Sequence, residues 1–325
     1  MVNVLLIGLG TTTLSALESL LPQCNVQGLV RNADASDADD AVVNLADKMG
    51  IPIFSDVCQK NIKSLLLKFN PDCVVVSSYH QILPPELTTL STFINVHYSP
   101  LPHYRGRANV NWAIINDESC AAITIHKIVP ELDAGNILFQ QLISIRCEDT
   151  VADLYERLND IQRQRLGETV VKAWNGYAGV PQNSAEATYC CTRLPEDGEI
   201  NWSNPTRSID CFIRALVSPF PGAYTYFQGR KLLVWQATSV NNPPVYVGRI
   251  PGRVIGRSKT EGYVDVLTGD GVLKIFEVQF EGEEKTAAAN VIKSVKSTLG
   301  LRMSDLLNRI QTLEQENLRL KENAK

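Results

Sequence analysis

Two polar residues close the apolar run Phe93-Ile94-Asn95-Val96-His97. Alternate residues of a strand share a face, so the Asn95 amide and the His97 imidazole are presented together. An amide N–H can stabilise an oxygen that gains negative charge, and an imidazole, with an ordinary pKa near 6.5, can take and return a proton at neutral pH. The pair ends its strand, where open α/β sheets place their ligands. It is followed by Tyr98-Ser99-Pro100-Leu101-Pro102-His103-Tyr104-Arg105-Gly106-Arg107, a stiff loop with two prolines and two guanidinium groups that enters a helix over Ala108–Asn116. A mere connector needs neither that stiffness nor that charge. Farther on, Glu131-Leu132-Asp133-Ala134-Gly135 leaves an alternating run, Ala122–Val129, at the same predicted edge, which brings the Asp133 carboxylate toward His97. The bland alternative is a hydrogen-bonded strand histidine and a turn aspartate.

The elements that must position these groups are legible around them. Short apolar runs at Val2–Ile7, Asn25–Val30, Ile51–Phe54, Cys73–Val76 and Phe93–Val96 alternate with helical patterns at Thr11–Leu21, Asp37–Met49 and Asn61–Phe69. That order predicts a parallel, Rossmann-like sheet wrapped by helices. Ala122–Val129 and Asn136–Ile145 read as further strands, and Thr150 with Asp153 reads as a capping box opening a helix to about Trp174. Gly and Pro accumulate among polar residues from Asn175 to Pro205, which predicts a linker. After a short helix, Thr206–Val217, the pattern is all-β: Ala223–Phe227, Lys231–Ala237, Gly252–Gly256, Tyr263–Leu267 and Val272–Gln279, a set that a small barrel would close. Leu299, Met303, Leu306, Ile310, Leu313, Asn317, Leu320 and Ala324 then follow a heptad seam. It suits a homodimeric coiled coil, or one amphipathic helix docked on its own domain.

The 325 residues suffice for two domains, and 44% apolar with 20% charged residues suits a globular interior. A net charge of −4 disfavours nucleic acid as a partner, since phosphate backbones reward clustered Lys and Arg. The eight cysteines follow no metal or disulfide spacing, no apolar run approaches the ~18 residues of a membrane span, and no export signal precedes the first strand, so a cytoplasmic protein is expected. Gly8-Leu9-Gly10 lacks the third glycine of a dinucleotide fingerprint, Thr13 standing in its place, and His126 reads as structural.

From Met1 to about Gln279 the chain resembles the formyltransferases that use 10-formyltetrahydrofolate, through Asn95-Val96-His97-Tyr98-Ser99-Pro100-Leu101-Pro102, Arg105-Gly106 and Asp133-Ala134-Gly135. The resemblance implies an α/β fold: a Rossmann-like formyltransferase domain over 1–180, a linker over 181–204, a barrel-like (OB-like) C-terminal domain over 205–284 and a C-terminal helix over 285–325. It assigns catalysis to Asn95, His97 and Asp133, without a metal. It assigns the folate to main-chain groups of Gln81-Ile82-Leu83 and Val129-Pro130-Glu131-Leu132, with Arg107 beside them. Pro100 and His103 depart from the family's commoner residues.

Within that family, Tyr104, Arg105, Asn111 and Trp112, with Arg214-Ala215 and Pro219 to Tyr226, resemble the enzymes acting on UDP-4-amino-4-deoxy-L-arabinose. Methionyl-tRNA formyltransferases carry a basic insertion after the second strand; this chain has Asn32-Ala33-Asp34-Ala35-Ser36-Asp37-Ala38-Asp39-Asp40. The resemblance therefore implies an amino-sugar nucleotide as acceptor, with Tyr104, Arg105, Asn111 and Trp112 around it. A tRNA formyltransferase and a formyltetrahydrofolate deformylase are the alternatives.

Overall fold

A computed structural model describes residues 1–31, 41–55, 59–79, 81, 83–301 and 303–323. The chain divides into two compact units, residues 1–113 with 118–193, and residues 114–117 with 194–325. Residues 181–193, within the segment expected to be a linker, group with the first.

In the first unit the chain runs β1 (Val2–Gly8), α1 (Gly10–Leu20), β2 (Cys24–Val30), α2 (Ala41–Lys48), β3 (Ile53–Phe54), α3 (Gln59–Phe69), β4 (Cys73–Ser77), α4 (Pro85–Thr88) and β5 (Thr92–His97). Then come β6 (Arg105–Gly106), α5 (Asn109–Ile115), β7 (Cys120–Lys127), β8 (Ile137–Ser144), α6 (Val151–Trp174) and β9 (Tyr189–Cys190). The main sheet has the order β3-β2-β1-β4-β5-β7-β8. Its first five strands are parallel, as their apolar runs predict, and β7 alone runs against its neighbours, pairing antiparallel with both β5 and β8. β1 is a central strand, and Val4–Ile7 are fully buried because helices cover both faces of such a sheet. Residues 32–40, which hold the acidic segment and the start of the predicted second helix, lie outside the described residues, as do His80, Ile82 and Ala324.

Helix α6 anchors the site from behind. Gly167 lets it approach α1 closely: its N–H donates to Ser19 Oγ at 3.0 Å, and a Cβ there would stand 2.3 Å from the Ser19 carbonyl oxygen. One turn earlier the buried Gln162 donates through Nε2 to Ser77 Oγ (3.0 Å), at the end of β4, and to Thr12 O (2.9 Å). The Tyr98 hydroxyl, one residue past His97, lies 2.5 Å from Gln162 Oε1 and 2.7 Å from Asn159 Oδ1. The end of β5 is thus tied to helix residues 61 and 64 positions farther along the sequence.

In the second unit α7 (Thr206–Arg214) precedes β10 (Ala223–Phe227), β11 (Arg230–Ser239), β12 (Val254–Ser258), β13 (Tyr263–Leu267), β14 (Val272–Phe280) and β15 (Thr286–Ala287). They pair antiparallel in the order β10-β11-β14-β13-β12, with β15 beside β14. The five strands expected from sequence all stand here, on an antiparallel core that includes Trp202, whose indole N–H donates to Thr225 Oγ1 at 2.9 Å. Two helices end the unit, α8 (Ala288–Val291) and α9 (Met303–Asn323). No described helix is long and apolar enough to cross a membrane.

The capping box at α6 forms as expected. The Thr150 N–H donates to Asp153 Oδ2 at 2.8 Å, and the Asp153 N–H faces Thr150 Oγ1 at 3.4 Å. Thr150→Ala should cost about 1 kcal/mol, read as a lowered thermal unfolding midpoint.

Candidate active site

β5 and β7 pair antiparallel, with Asn95 opposite His126 and His97 opposite Thr124. Directly opposed residues point to the same face of a sheet, so all four side chains gather on one side. The antiparallel direction changes the expected route to Asp133. β7 ends beside the start of β5, Lys127 opposing Ile94, and the 128–136 loop must return over the sheet face to deliver the carboxylate. It does so with Asp133 in the left-handed region (φ 49°) and with Gly135 pressed against β7, where a Cβ would stand 1.8 Å from the Lys127 carbonyl oxygen. The Asp-Ala-Gly sequence is thereby explained at its last position: only glycine fits.

Asp133 Oδ2 lies 3.7 Å from His97 Nδ1, and Oδ1 lies 3.7 Å from His126 Nε2. Both separations exceed a hydrogen bond, so the carboxylate acts on the two rings through its field. Its direct partner is the Gly106 N–H, which donates to Oδ2 at 2.9 Å. His97 Nε2 is 3.0 Å from the Tyr104 carbonyl oxygen and 2.7 Å from Asn109 Nδ2. A carbonyl only accepts, so Nε2 carries the proton of the neutral ring, which requires the Asn109 amide to be reversed so that its oxygen, in place of Nδ2, faces the ring. The lone pair is left on Nδ1, the nitrogen that faces Asp133.

His126 has the opposite polarity. Its Nδ1 donates to Lys127 O at 2.9 Å, which leaves Nε2 to accept from Asn95 Nδ2 at 3.1 Å. Burial first, and the neighbouring His97 second, push its pKa down from 6.5 to about 4, against the pull of Asp133. A neutral His126 therefore holds one Asn95 N–H and leaves the other for a ligand oxygen.

The loop between β5 and α5 is held at many points. Ser99 Oγ donates to His103 O (2.9 Å), Thr124 Oγ1 to Ser99 O (2.6 Å) and Gln140 Nε2 to Leu101 O (2.9 Å). β6 pairs in parallel with β9, drawing the supposed linker segment onto the loop. From that segment Gln182 donates to the carbonyls of Asp133 and Gly135, each at 2.7 Å, and accepts from Arg105 Nη2 at 2.8 Å. Asn109, His126 and Gln182 are the site residues that the motifs did not single out. For His126 the signal was present: it shares the polar phase of Ile123-Thr124-Ile125-His126, opposite the apolar one.

The other candidates divide. Arg105 (3% exposed) and Asn111 (1% exposed) are buried, and Arg105 faces inward to Gln182 and the Tyr189 ring. Tyr104 and Trp112 are half-buried; the Tyr104 hydroxyl donates to Glu118 at 2.5 Å, and the Trp112 indole N–H to Cys191 O at 3.0 Å beneath the Arg193 guanidinium. Gln81, Arg107, Pro130, Glu131 and Leu132 are exposed, and Leu83 and Val129 are half-buried. Among the described residues no group of three or more His, Cys, Asp or Glu is arranged to hold a metal ion.

Residues 25–170 match the formyl transferase model, and residues 194–296 match the formyl transferase C-terminal domain. A methionyl-tRNA formyltransferase of Caldanaerobacter subterraneus subsp. tengcongensis is 37% identical over 251 residues, 75% of this chain and 79% of its own length. The chain belongs to the formyl transferase family.

Solved structures share the fold at low identity. The sugar 3N-formyl transferase WlaRD, crystallised with dTDP and 5-N-formyl-THF, superposes with a TM-score of 0.63 at 19% identity, over 87% of this chain and 99% of its own. HypX from Aquifex aeolicus, in complex with tetrahydrofolic acid, gives 0.64 at 16% identity over 90% of this chain, which spans only 47% of HypX. This formyl transferase moves a formyl group, and the polar corner of β5 and β7 is the candidate place for it.

The depressed pKa of His126 has a thermodynamic consequence. Between pH 6.5 and 4 the unfolded chain binds a proton at this residue that the folded chain refuses. Stability contributed by the neutral ring is complete above 6.5 and falls as pH drops through that window, by at most about 3 kcal/mol. His126→Gln, which does not titrate, should flatten this acid limb relative to the parent chain in chemical unfolding measured across that range.

Proposed function

We propose that the chain transfers the formyl group of 10-formyltetrahydrofolate to the primary amine of a nucleotide-linked amino sugar. The observation that carries the reaction is the meeting of Asn95, His97 and Asp133 in one corner of the first unit. The second N–H of Asn95 would stabilise the formyl oxygen as the amine adds to the carbon. The lone pair at His97 Nδ1 takes the proton that the amine gives up and returns it to the folate nitrogen as the carbon–nitrogen bond breaks. During that exchange the protonated ring faces the Asp133 carboxylate, which favours its charge.

The residues present fit a folate. The segments from Gln81 to Leu83 and from Val129 to Leu132 would hold its ring by main-chain groups, with Arg107 beside them. Leu132 is 51% exposed next to Asp133, an apolar surface that a flat ring could cover. On the acceptor side, Tyr104 and Trp112 would meet the sugar nucleotide, while the buried Arg105 and Asn111 would shape the loop from beneath.

Support for the sugar amine comes from the four aspartates of residues 32–40, from the overall charge of −4 and from the resemblance at Tyr104–Trp112. The 37% identity to a methionyl-tRNA formyltransferase favours the second reading, an aminoacyl-tRNA acceptor. The purified chain, given 10-formyltetrahydrofolate with charged initiator tRNA or with a panel of UDP- and dTDP-amino sugars, separates the two. Tetrahydrofolate should appear only with an amino-sugar nucleotide; turnover with the tRNA alone would sink the proposal, and formate release without an amine would indicate a hydrolase. His97→Asn should lower kcat by about 100-fold or more with little change in KM.

A further inference from the structure

The C-terminal family match ends at residue 296, and α9 lies beyond it. Every described side chain of α9 is exposed, including the apolar Met303, Leu306, Ile310, Leu313 and Leu320. An amphipathic helix docked on its own domain would bury that stripe; this one leaves it uncovered. With Asn317 at an a position, the a residues are Met303, Ile310 and Asn317, and the d residues are Leu306, Leu313 and Leu320. The flanking positions are then set: Arg309 and Glu316 fall at g, and Leu307, Glu314 and Lys321 at e.

We infer that α9 pairs with α9 of a second copy of this chain as a parallel, in-register, two-stranded coiled coil. In such a pair each g residue meets the e residue five positions on in the partner. Arg309 meets Glu314 of the other copy and Glu316 meets Lys321, so both ionic contacts are attractive and each occurs twice. Among the described residues none of these four groups has an ion pair within its own chain. Asn317 selects the direction. In the parallel pair it faces its own copy and the two amides hydrogen-bond; in the antiparallel pair that fills every layer, a meets d and Asn317 would face Leu306. The antiparallel pair would also bring Arg309 to Glu316 and leave Glu314 without a cation.

Sedimentation equilibrium of the full chain in the micromolar range tests the pairing. The parent chain should weigh twice its 36.0 kDa, and Leu306→Asp with Leu313→Asp should give a monomer that keeps its formyl-transfer activity and its circular dichroism. Arg309→Glu should weaken association roughly tenfold. Adding Glu314→Arg to it should restore the parent value. A monomeric parent chain, or a dimer indifferent to the double aspartate variant, overturns the inference. So does failure of Glu314→Arg to rescue Arg309→Glu, because an antiparallel pair would need the change at Glu316 instead.

Discussion

The register of β5 against β7 is the constraint on which the rest of the site depends. Side chains alternate across a sheet, so a slip of one residue would turn one strand over, taking either Asn95 and His97 or His126 away and bringing Val96 or Ile125 to the site. The opposite phase of both strands prevents it. Ile94, Val96, Ile123 and Ile125 are all buried, and each contributes roughly 1.5–3 kcal/mol by leaving water. A slip would expose part of that surface and strand polar groups in the core. The packing that stabilises this part of the fold therefore also fixes which atoms meet at the site.

The second requirement is to return Asp133 to that face. An antiparallel β7 sends its loop the wrong way, toward the start of β5, and the chain corrects this with local backbone choices and a distant clamp. Asp133 takes a left-handed conformation, Gly135 packs directly on a carbonyl, and the Gln182 amide grips the main chain on either side of Ala134. Arg105 in turn holds Gln182, so the loop after β5 and the loop after β7 share one fastening. Its position explains why a segment rich in Gly and Pro, whose composition predicts a linker, is drawn onto the first unit.

Much of this is legible in the sequence, and the reasons differ by element. Strand and helix periods located β1 to β5 and the five strands of the second sheet, because one-sided or two-sided burial imprints itself on apolar spacing. The capping box at Thr150 and Asp153 was visible because both partners lie within one turn. What escaped was long-range. No local pattern says that β7 runs antiparallel, and without that direction neither the pairing of Asn95 with His126 nor the detour to Asp133 can be seen. Gln182 acts 49 residues from Asp133 through main-chain carbonyls, which leave no trace in the identity of the residues they belong to. Asn109 was hidden for a related reason: its contact to His97 depends on how sharply the loop turns at Tyr104 and Ala108, both at positive φ.

The chemistry proposed for the corner does not select the amine, since an oxyanion donor and a proton carrier would serve any primary amine that reaches the carbon. Selection must come from groups outside it, and there electrostatics discriminates by size of partner. Two like charges 10 Å apart in water repel by about 0.4 kcal/mol before salt screening, so a single aspartate is a weak deterrent. A tRNA, however, offers a phosphate every few ångströms, and four aspartates within nine residues act on several of them at once, on a chain with no cationic surplus to compensate. A sugar nucleotide carries two phosphates and needs only a few local donors, so the same negative charge costs it little. The acidic segment is therefore a strong penalty for one class of acceptor and a minor one for the other, even though the reacting groups would be identical for both.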